Sequence, residues 1–239
     1  MDEPVDPRKN QMLARLPDAE WQRWKPMLEL VYLPLGTVLY ESGEKINFVY
    51  YPTSGIVSLL YAKYEGTIPK VVVIGNEGLV GLSIFLGGSI TSSRAVVQSA
   101  GMGYRLRSDI IKRDFDTAGP VMHLILRYAQ ALFTQIRQTA MCNRLHTIDK
   151  QFCRWLLLSL DRLTTNELVI TEELLADMLG VRRESVTEAA LQLQAAGFIQ
   201  YTQGHITVLD RPKLEVQTCE CYDVVKEEYE LLRPRLVAV

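Results

Sequence analysis

The stretch from Thr171 to Glu188 most constrains how this chain folds, because it reads as two short helices joined by a tight turn. Thr171 can cap the first helix by accepting a hydrogen bond from a backbone N–H group. Gly180 stands where that helix must end, at a position that often needs a positive φ. Apolar residues keep helical spacing on both sides of the turn, at Leu174, Leu175, Met178, Leu179, Val186, Ala189, Ala190 and Leu193. The pattern predicts a helix-turn-helix, whose second helix can enter the major groove of DNA with its N-terminus.

The residues that follow predict a β-hairpin beside this motif. Residues 198–201 and 205–209 are strand-like, and they flank Thr202-Gln203-Gly204, whose glycine suits a tight turn. A helix-turn-helix followed by a hairpin is a winged helix-turn-helix. We expect one final helix, at about 211–233, to close the chain.

The N-terminal half has a β texture from Val31 to about Leu106. Short runs rich in β-branched and aromatic residues are separated by glycines, which is typical of a sandwich or a barrel. The runs lie at 38–40, 48–51, 56–61, 71–74, 95–98 and 102–106. A helix is expected before them, from Leu13 to Leu30, with a start signal at Pro17-Asp18-Ala19-Glu20.

The periodicity changes between Pro120 and Arg144, where the chain has no glycine and no further proline. Residues recurring every three or four positions predict a helix of roughly 24 residues, longer than the average globular helix. They are Val121, Leu124, Ile125, Tyr128, Ala131, Leu132, Gln135, Ile136 and Thr139. This stripe either belongs to the core of the chain or forms the seam of a dimer. A second helix is expected at about 149–163.

The order of these elements resembles that of the Crp/Fnr family of bacterial transcription regulators. The sharpest motif is Gly180-Val181-Arg182-Arg183-Glu184-Ser185-Val186, which is similar to the recognition helix of that family. Residues 33–44 also resemble the first hairpin of a cyclic-nucleotide-type domain. The resemblance covers the chain from about Leu13 to Leu209.

This resemblance implies an α+β fold in three parts. They are an effector-sensing β-roll of the cyclic-nucleotide-binding type at 1–118, a long dimerisation helix at 119–147 and a winged helix-turn-helix DNA-binding domain at 148–239. The implied partners are a second copy of the chain and a palindromic operator in double-stranded DNA. RNA polymerase is a further candidate partner.

Two segments correspond to the effector pocket of the nucleotide-binding members. In those members a Gly-Glu pair opens the phosphate-binding segment, and an arginine binds the cyclic phosphate. The candidates here are Gly81-Leu82-Ser83 and Ser92-Ser93-Arg94-Ala95. Leu82 stands where the glutamate is expected, and leucine offers no hydrogen bond to a ribose hydroxyl. We therefore expect a signal other than conventional cyclic AMP binding, such as an unknown small-molecule effector, and we predict no cofactor.

Arg183 and Glu184 are the candidates for base readout, because arginine can donate two bonds to a guanine and glutamate can accept one from a cytosine amino group. Other side chains are expected to contact phosphates, which position a protein without specifying sequence. They are Arg182, Ser185, Thr187, Thr171 and Gln203. Glu188 stands where the family often has a base-reading arginine. It either faces a cytosine or lies away from the groove, so the operator sequence should differ from that of the best-known relatives.

The charge of the C-terminal part limits how it can bind DNA. From Asp149 onward the chain has ten basic and fifteen acidic residues, a net charge of −5, whereas nonspecific DNA binders are basic. Binding must then come from a local patch and depend on salt and sequence. Two alternatives stay open. One is a constitutive DNA binder whose β-roll is only a scaffold for dimerisation and polymerase contact, and the other is an adaptor for a ligand or protein with little DNA binding.

The cysteines and histidines predict no metal site. Cys142, Cys153, Cys219 and Cys221 form no disulfide framework, which favours a reducing, cytoplasmic location. Cys219 and Cys221 are expected on one helix, where residues two apart do not face each other. The histidines are far apart in sequence. Catalytic motifs and apolar runs of membrane-spanning length are missing from the sequence, so we expect neither an enzyme nor a membrane protein.

Overall fold

The computed structural model describes residues 5–61, 70–87, 90–163, 165–202 and 204–232. An N-terminal β domain is followed by a long helix and by a helical domain with a small sheet. Gln203, one of the predicted phosphate contacts, lies outside the described residues. None of the helices in these ranges combines the length and the apolarity that crossing a membrane requires.

Two short helices, α1 (Gln11–Ala14) and α2 (Asp18–Trp24), precede the sheets. The predicted helix start is confirmed, since Pro17 is the N-cap of α2. The prediction of one helix from Leu13 to Leu30 is wrong. Proline disfavours helical backbone in the residue before it, which separates α1 from α2. Strand β1 (Glu29–Leu33) also begins inside the predicted range.

Seven strands of the described chain form the β domain. They are β1, β2 (Val38–Tyr40), β3 (Phe48–Pro52), β4 (Ile56–Tyr61), β5 (Lys70–Ile74), β6 (Ser93–Ser99) and β7 (Gly101–Arg107). They make two antiparallel sheets with strand orders β1-β7-β3 and β2-β6-β4-β5. Residues two apart share a face, so Val49 and Tyr51 of β3 are both buried. The six strands predicted from sequence are confirmed, and β1 is an addition to them.

The predicted long helix is confirmed as α4 (Pro120–Leu145), which has 26 residues and follows a shorter helix, α3 (Ser108–Asp116). Its predicted stripe packs inside the same chain. The buried members are Val121, Ile125, Tyr128, Ala131, Leu132 and Gln135. The Tyr128 hydroxyl, for example, donates to the carbonyl of Leu79 in the β domain at 3.2 Å. These residues are therefore core, and the dimer-seam alternative does not apply to them.

The C-terminal domain contains the predicted helix-turn-helix and hairpin. Its elements are α5 (Ile148–Leu160), β8 (Glu167–Val169), α6 (Glu172–Leu179), α7 (Arg183–Ala195), β9 (Ile199–Thr202), β10 (His205–Val208), α8 (Arg211–Gln217) and α9 (Cys221–Glu230). Strands β9 and β10 pair as the hairpin, and β8 pairs with the other edge of β10. Helix α9 packs against α4.

The end of the chain corrects one prediction. A single helix at about 211–233 is expected from sequence, but α8 ends at Gln217 and Thr218 is extended, with ψ 174°. Helix α9 begins at Cys221. Neither glycine nor proline stands at this break, so the sequence contains no helix-breaking signal there. Cys219 and Cys221 consequently do not share a helix.

A buried polar network joins the β domain to α4 and to the C-terminal domain. Arg162 Nε lies 2.7 Å from Glu77 Oε1, and the two side chains are 3% and 7% exposed. Arg162 Nη2 donates to Gln135 Oε1 at 2.8 Å, and the Tyr229 hydroxyl donates to the same oxygen at 3.0 Å. A Cβ at Gly75 would lie 2.6 Å from the Arg162 Cβ, so only glycine fits there. The network fixes how the C-terminal domain meets the β domain.

Gly204, in the hairpin turn, should not tolerate a side chain. Its φ is +83°, and a Cβ would lie 2.7 Å from the backbone oxygen of Ile170. We expect Gly204→Ala to cost more than the about 1–2 kcal/mol of left-handed backbone strain alone and to lower Tm by several degrees in a thermal unfolding experiment. Gly197→Ala is the control, because Gly197 has a φ of +75° but open space within 4 Å. Equal losses of Tm would show that the Ile170 contact has no effect.

Candidate nucleic-acid interface

Helices α6 and α7 are joined as the cap residues predict. Thr171 Oγ1 accepts a hydrogen bond from the Leu174 N–H at 3.2 Å, which caps α6. Gly180 ends α6 in the left-handed conformation, with φ +67°. The turn extends from Gly180 to Arg182, so α7 begins at Arg183. Thr171, also a predicted phosphate contact, thus has its hydroxyl oxygen engaged as a helix cap.

Helix α7 buries one face and exposes the other. The buried residues are those predicted from sequence: Val186, Ala189, Ala190 and Leu193. The exposed face carries Glu184, Glu188, Leu191 and Gln192. Because the domain covers only one side of α7, the first turn and the exposed face are open to a partner.

Arg183 is oriented by helix α6 and the hairpin. Its Nε lies 2.6 Å from Glu172 Oε2, and its Nη1 lies 3.1 Å from Glu173 Oε1. The Tyr201 hydroxyl of β9 donates to the other oxygen of Glu172. Hydrogen bonds from Tyr201 and then from Arg183 lower the pKa of Glu172, which keeps its carboxylate ionised. The Arg183 side chain remains 58% exposed, and its Nη2 donates no hydrogen bond within the described chain. The guanidinium is therefore held on one side and accessible on the other.

Sequence reasoning misses this arrangement. Arg183 and Glu184 are adjacent in sequence, but the described residues form no ion pair between them. The partners come instead from the first turn of α6 and from β9. The only sequence signal for them is the pair of acids, Glu172 and Glu173, that follows the Thr171 cap.

The other DNA-contact candidates differ in accessibility. Arg182, Glu184 and Glu188 are exposed, and none of them forms an ion pair within the described ranges. Ser185 and Thr187 are half-buried. The Thr187 Oγ1 donates to the Arg183 carbonyl at 3.2 Å. Besides Arg183, the turn and the exposed face of α7 thus present one basic and two acidic accessible side chains.

The predicted effector residues lie in two segments that no hydrogen bond or ion pair joins among the described residues. Gly81-Leu82-Ser83 opens a short 3-10 helix, and Leu82 is buried in the core. Ser92-Ser93-Arg94-Ala95 leads into β6, and Arg94 Nε lies 3.1 Å from Glu41 Oε1. The guanidinium that would bind a phosphate is within ion-pair distance of a carboxylate, and its side chain is 38% exposed. This pocket stays a prediction.

Comparison with known proteins identifies the C-terminal domain. Residues 150–216 match the family model of the Crp-like helix-turn-helix domain. A comparison with curated protein sequences gives no match.

Solved structures extend the likeness to most of the chain. A protein from Eubacterium rectale, described as a Crp/Fnr-family transcriptional regulator, has 20% identity and a TM-score of 0.66, with 88% of this chain and 98% of that chain covered. FixK2 from Bradyrhizobium japonicum has 15% identity and a TM-score of 0.67, with 80% and 98% covered. A CRP-family regulator from Thermus thermophilus has 17% identity and a TM-score of 0.64, with 78% and 95% covered. The chain therefore carries a Crp-like helix-turn-helix domain within the fold of the Crp/Fnr family of transcription regulators.

Proposed function

We propose that the chain is a homodimeric, sequence-specific DNA-binding transcription regulator. Its parts are an effector-sensing β-roll at 1–118, a dimerisation helix at 119–147 and a DNA-binding domain at 148–239. The observation that carries the proposal is Arg183, a cation held by Glu172 and Glu173 at the open N-terminus of α7. Holding a long side chain before binding reduces the entropy lost when it meets a base.

Readout follows from the first turn of α7. The free Nη2 of Arg183 donates to a guanine edge in the major groove, and Glu184 accepts from a cytosine amino group. Arg182, Ser185 and Thr187 contact phosphates and set the register. In a homodimer the two α7 helices read half-sites about 34 Å apart. A signal acts by changing the fraction of dimers whose two α7 helices have that separation.

The acidic character of the domain is consistent with selective binding. Glu188 is exposed on α7 without an ion-pair partner in the described residues. Beside a phosphate it repels DNA, whereas opposite a cytosine it accepts a hydrogen bond. Operators that place a cytosine opposite Glu188 are favoured over random DNA. The protein then gains specificity without strong nonspecific affinity.

The signal in this proposal differs from cyclic AMP. Leu82 is buried and apolar, and Arg94 is engaged by Glu41. Leu82 cannot make the polar contact that a ribose hydroxyl needs, and a cyclic phosphate would have to compete with Glu41 for Arg94. Other small molecules, or no ligand at all, remain compatible with this β-roll.

The Arg183→Ala variant tests the readout. We expect affinity for operators selected from a palindromic DNA pool to fall at least about 30-fold, because each arginine–guanine contact contributes about 1–3 kcal/mol of discrimination and the dimer loses one contact in each half-site. Gel shifts at two salt concentrations measure the loss of affinity. In the same assay, added cyclic AMP should leave the affinity of the wild type unchanged. Lys213→Ala, which removes a cation exposed on α8, is the control and should bind nearly as wild type does. Wild-type affinity in Arg183→Ala would refute the readout, and failure of the wild type to select any sequence would favour the adaptor alternative.

A further inference from the structure

A small group of sulfur and nitrogen donors lies apart from the main core. Cys142, Cys219 and Cys221 are at most 3% exposed and form a separate buried cluster, with His146 at its edge. Their three Sγ atoms and a ring nitrogen of His146 all lie within 4.8 Å of one another. The Cys142 and Cys219 Sγ atoms are 3.5 Å apart, and Cys221 Sγ is 3.7 Å from His146 Nδ1.

The end of α4 and the break between α8 and α9 bring these donors together. Cys142 lies in the last turn of α4, and the N–H of His146, just beyond the helix, donates to its carbonyl at 3.0 Å. Cys219 lies in the break, and Cys221 is the first residue of α9. Two cysteines two positions apart can face one point because the helix is interrupted. The expectation of no metal site depended on one continuous helix and on the distance of the histidines along the sequence. The structure interrupts that helix and brings His146 to the cysteines.

The donor set suits a single zinc ion. Three cysteines and one histidine are a standard ligand set of structural zinc sites, in which four protein ligands surround the ion tetrahedrally. With Zn–S bonds of about 2.3 Å, donor atoms stand about 3.8 Å apart. The separations here reach that arrangement with small side-chain movements. The ligands of an iron–sulfur cluster bind different iron atoms, so their donor atoms must lie farther apart than those around one ion.

The neighbour of His146 fits a metal ligand. His146 Nε2 lies 3.3 Å from Glu220 Oε1. Metal-bound histidines commonly donate their second ring N–H to a carboxylate, which fixes the tautomer and strengthens the ligand nitrogen. That contact leaves Nδ1, the atom that faces Cys221, as the ligand.

A buried cation beside the cluster provides a second, independent indication. Arg154 is 4% exposed, its Nε has no hydrogen-bond acceptor, and it forms no ion pair within the described chain. Arg154 Nη1 donates to the hydroxyl of Thr139, three residues before Cys142 on α4, at 3.2 Å, so its one hydrogen-bond partner among the described side chains is neutral. A buried unpaired charge is strongly unfavourable. Zinc with three thiolates and a neutral imidazole has a net charge of −1, which matches the single positive charge of Arg154.

We propose that Cys142, His146, Cys219 and Cys221 bind one Zn²⁺ ion, which fastens the start of α9 to the end of α4. The winged helix-turn-helix lies between residues 142 and 219, so the ion fixes where this domain leaves the long helix and where it returns to it. Four protein ligands fill the tetrahedron and leave no position for a reacting water, so the site is structural. The proposal does not depend on DNA binding.

Metal analysis of the full chain tests the site. The chain is purified without a metal-binding tag and dialysed against metal-free buffer, and elemental analysis should find about one zinc per chain. Cys219→Ser should lose most of the zinc. Cys153→Ala, which removes a buried cysteine of α5 outside the cluster, should keep it. His146→Cys should also keep the ion, because a thiolate replaces the imidazole.

A second measurement uses only the wild-type chain, so it is valid even if Cys219→Ser fails to fold. Removing zinc with a chelator should lower Tm by several degrees, and adding Co²⁺ to the metal-free chain should give the visible absorption of tetrahedral cobalt thiolate. Four results would overturn the proposal. They are no zinc in the wild type with no Co²⁺ binding, equal zinc in Cys219→Ser and Cys153→Ala, iron with sulfide in place of zinc, and a Cys142–Cys219 disulfide in freshly prepared protein.

Discussion

Replacing Arg162 with methionine is expected to lower the free energy of unfolding by about 3–5 kcal/mol, because the substitution leaves a buried carboxylate without its partner. Arg162 and Glu77 are both almost inaccessible to solvent, and the joined atoms are 2.7 Å apart. Burial acts to lower the pKa of the Arg162 guanidinium, but Glu77, Tyr229 and Asp161 together more than offset this effect, so that pKa is raised. Arg162 also bonds to Gln135 and lies over the ring of Tyr229, so contacts with α4 and α9 are lost as well.

An exposed ion pair of the same length provides the control. Arg105 and Glu29 are also 2.7 Å apart, but their side chains are 34% and 50% exposed. Arg105→Met should cost less than about 1 kcal/mol, since solvent screens such a pair. Unfolding in urea, followed by fluorescence, measures both variants. The double variant Arg162→Met/Glu77→Leu should recover part of the loss, because no charge then remains buried. Equal losses in Arg162→Met and Arg105→Met would contradict this account.

The sequence predicts well the helices and strands that are determined by residues close together along the chain. The β-branched runs predict β2 to β7 because alternation along a strand is set by the strand itself. Helix α6 is delimited by Thr171 and Gly180, which act through hydrogen bonds and backbone conformation within a few residues. Strand β1 is missed because Trp24, Met27, Leu28 and Val31 keep helical spacing into it, and its true partner β7 lies more than sixty residues away.

The details of both sites depend on contacts between distant residues, which periodicity cannot show. The partners of Arg183 come from α6 and β9, and neither is adjacent to it in sequence. The cysteine cluster forms only because the helix is broken at Thr218, and no glycine or proline there indicates the break in the sequence. Helix α4 shows the same limit, because its 3.6-residue period identifies an apolar face without identifying what covers that face.

The exposed face of α4 is where a second copy of the chain is expected to bind. Leu126, Phe133 and Met141 are 44%, 52% and 52% exposed. Steps of seven and eight residues keep them on one side of the helix, opposite the stripe that packs inside the chain. An apolar row of this kind along a long helix suits helix-to-helix pairing between two copies. The dimer seam proposed here is therefore this row, which differs from the buried stripe.

Phe133→Asp should convert the dimer to a monomer and reduce operator affinity by at least about 100-fold, because each monomer then binds a single half-site without the gain from bivalent attachment. The substitution places a charge at the centre of the row, where pairing would bury it. Since Phe133 is exposed in the single chain, the fold of the monomer should survive. Light scattering coupled to gel filtration reports the mass, and gel shifts report affinity.

Val216→Asp is the matched control, since Val216 is 88% exposed on α8, away from the row. It makes the same change from apolar to acidic and should leave both mass and affinity unchanged. Phe133→Leu should keep the dimer, because leucine preserves an apolar contact at that point. A Phe133→Asp protein that stays dimeric would place the seam elsewhere. A monomer with wild-type operator affinity would instead show that the chain does not read paired half-sites.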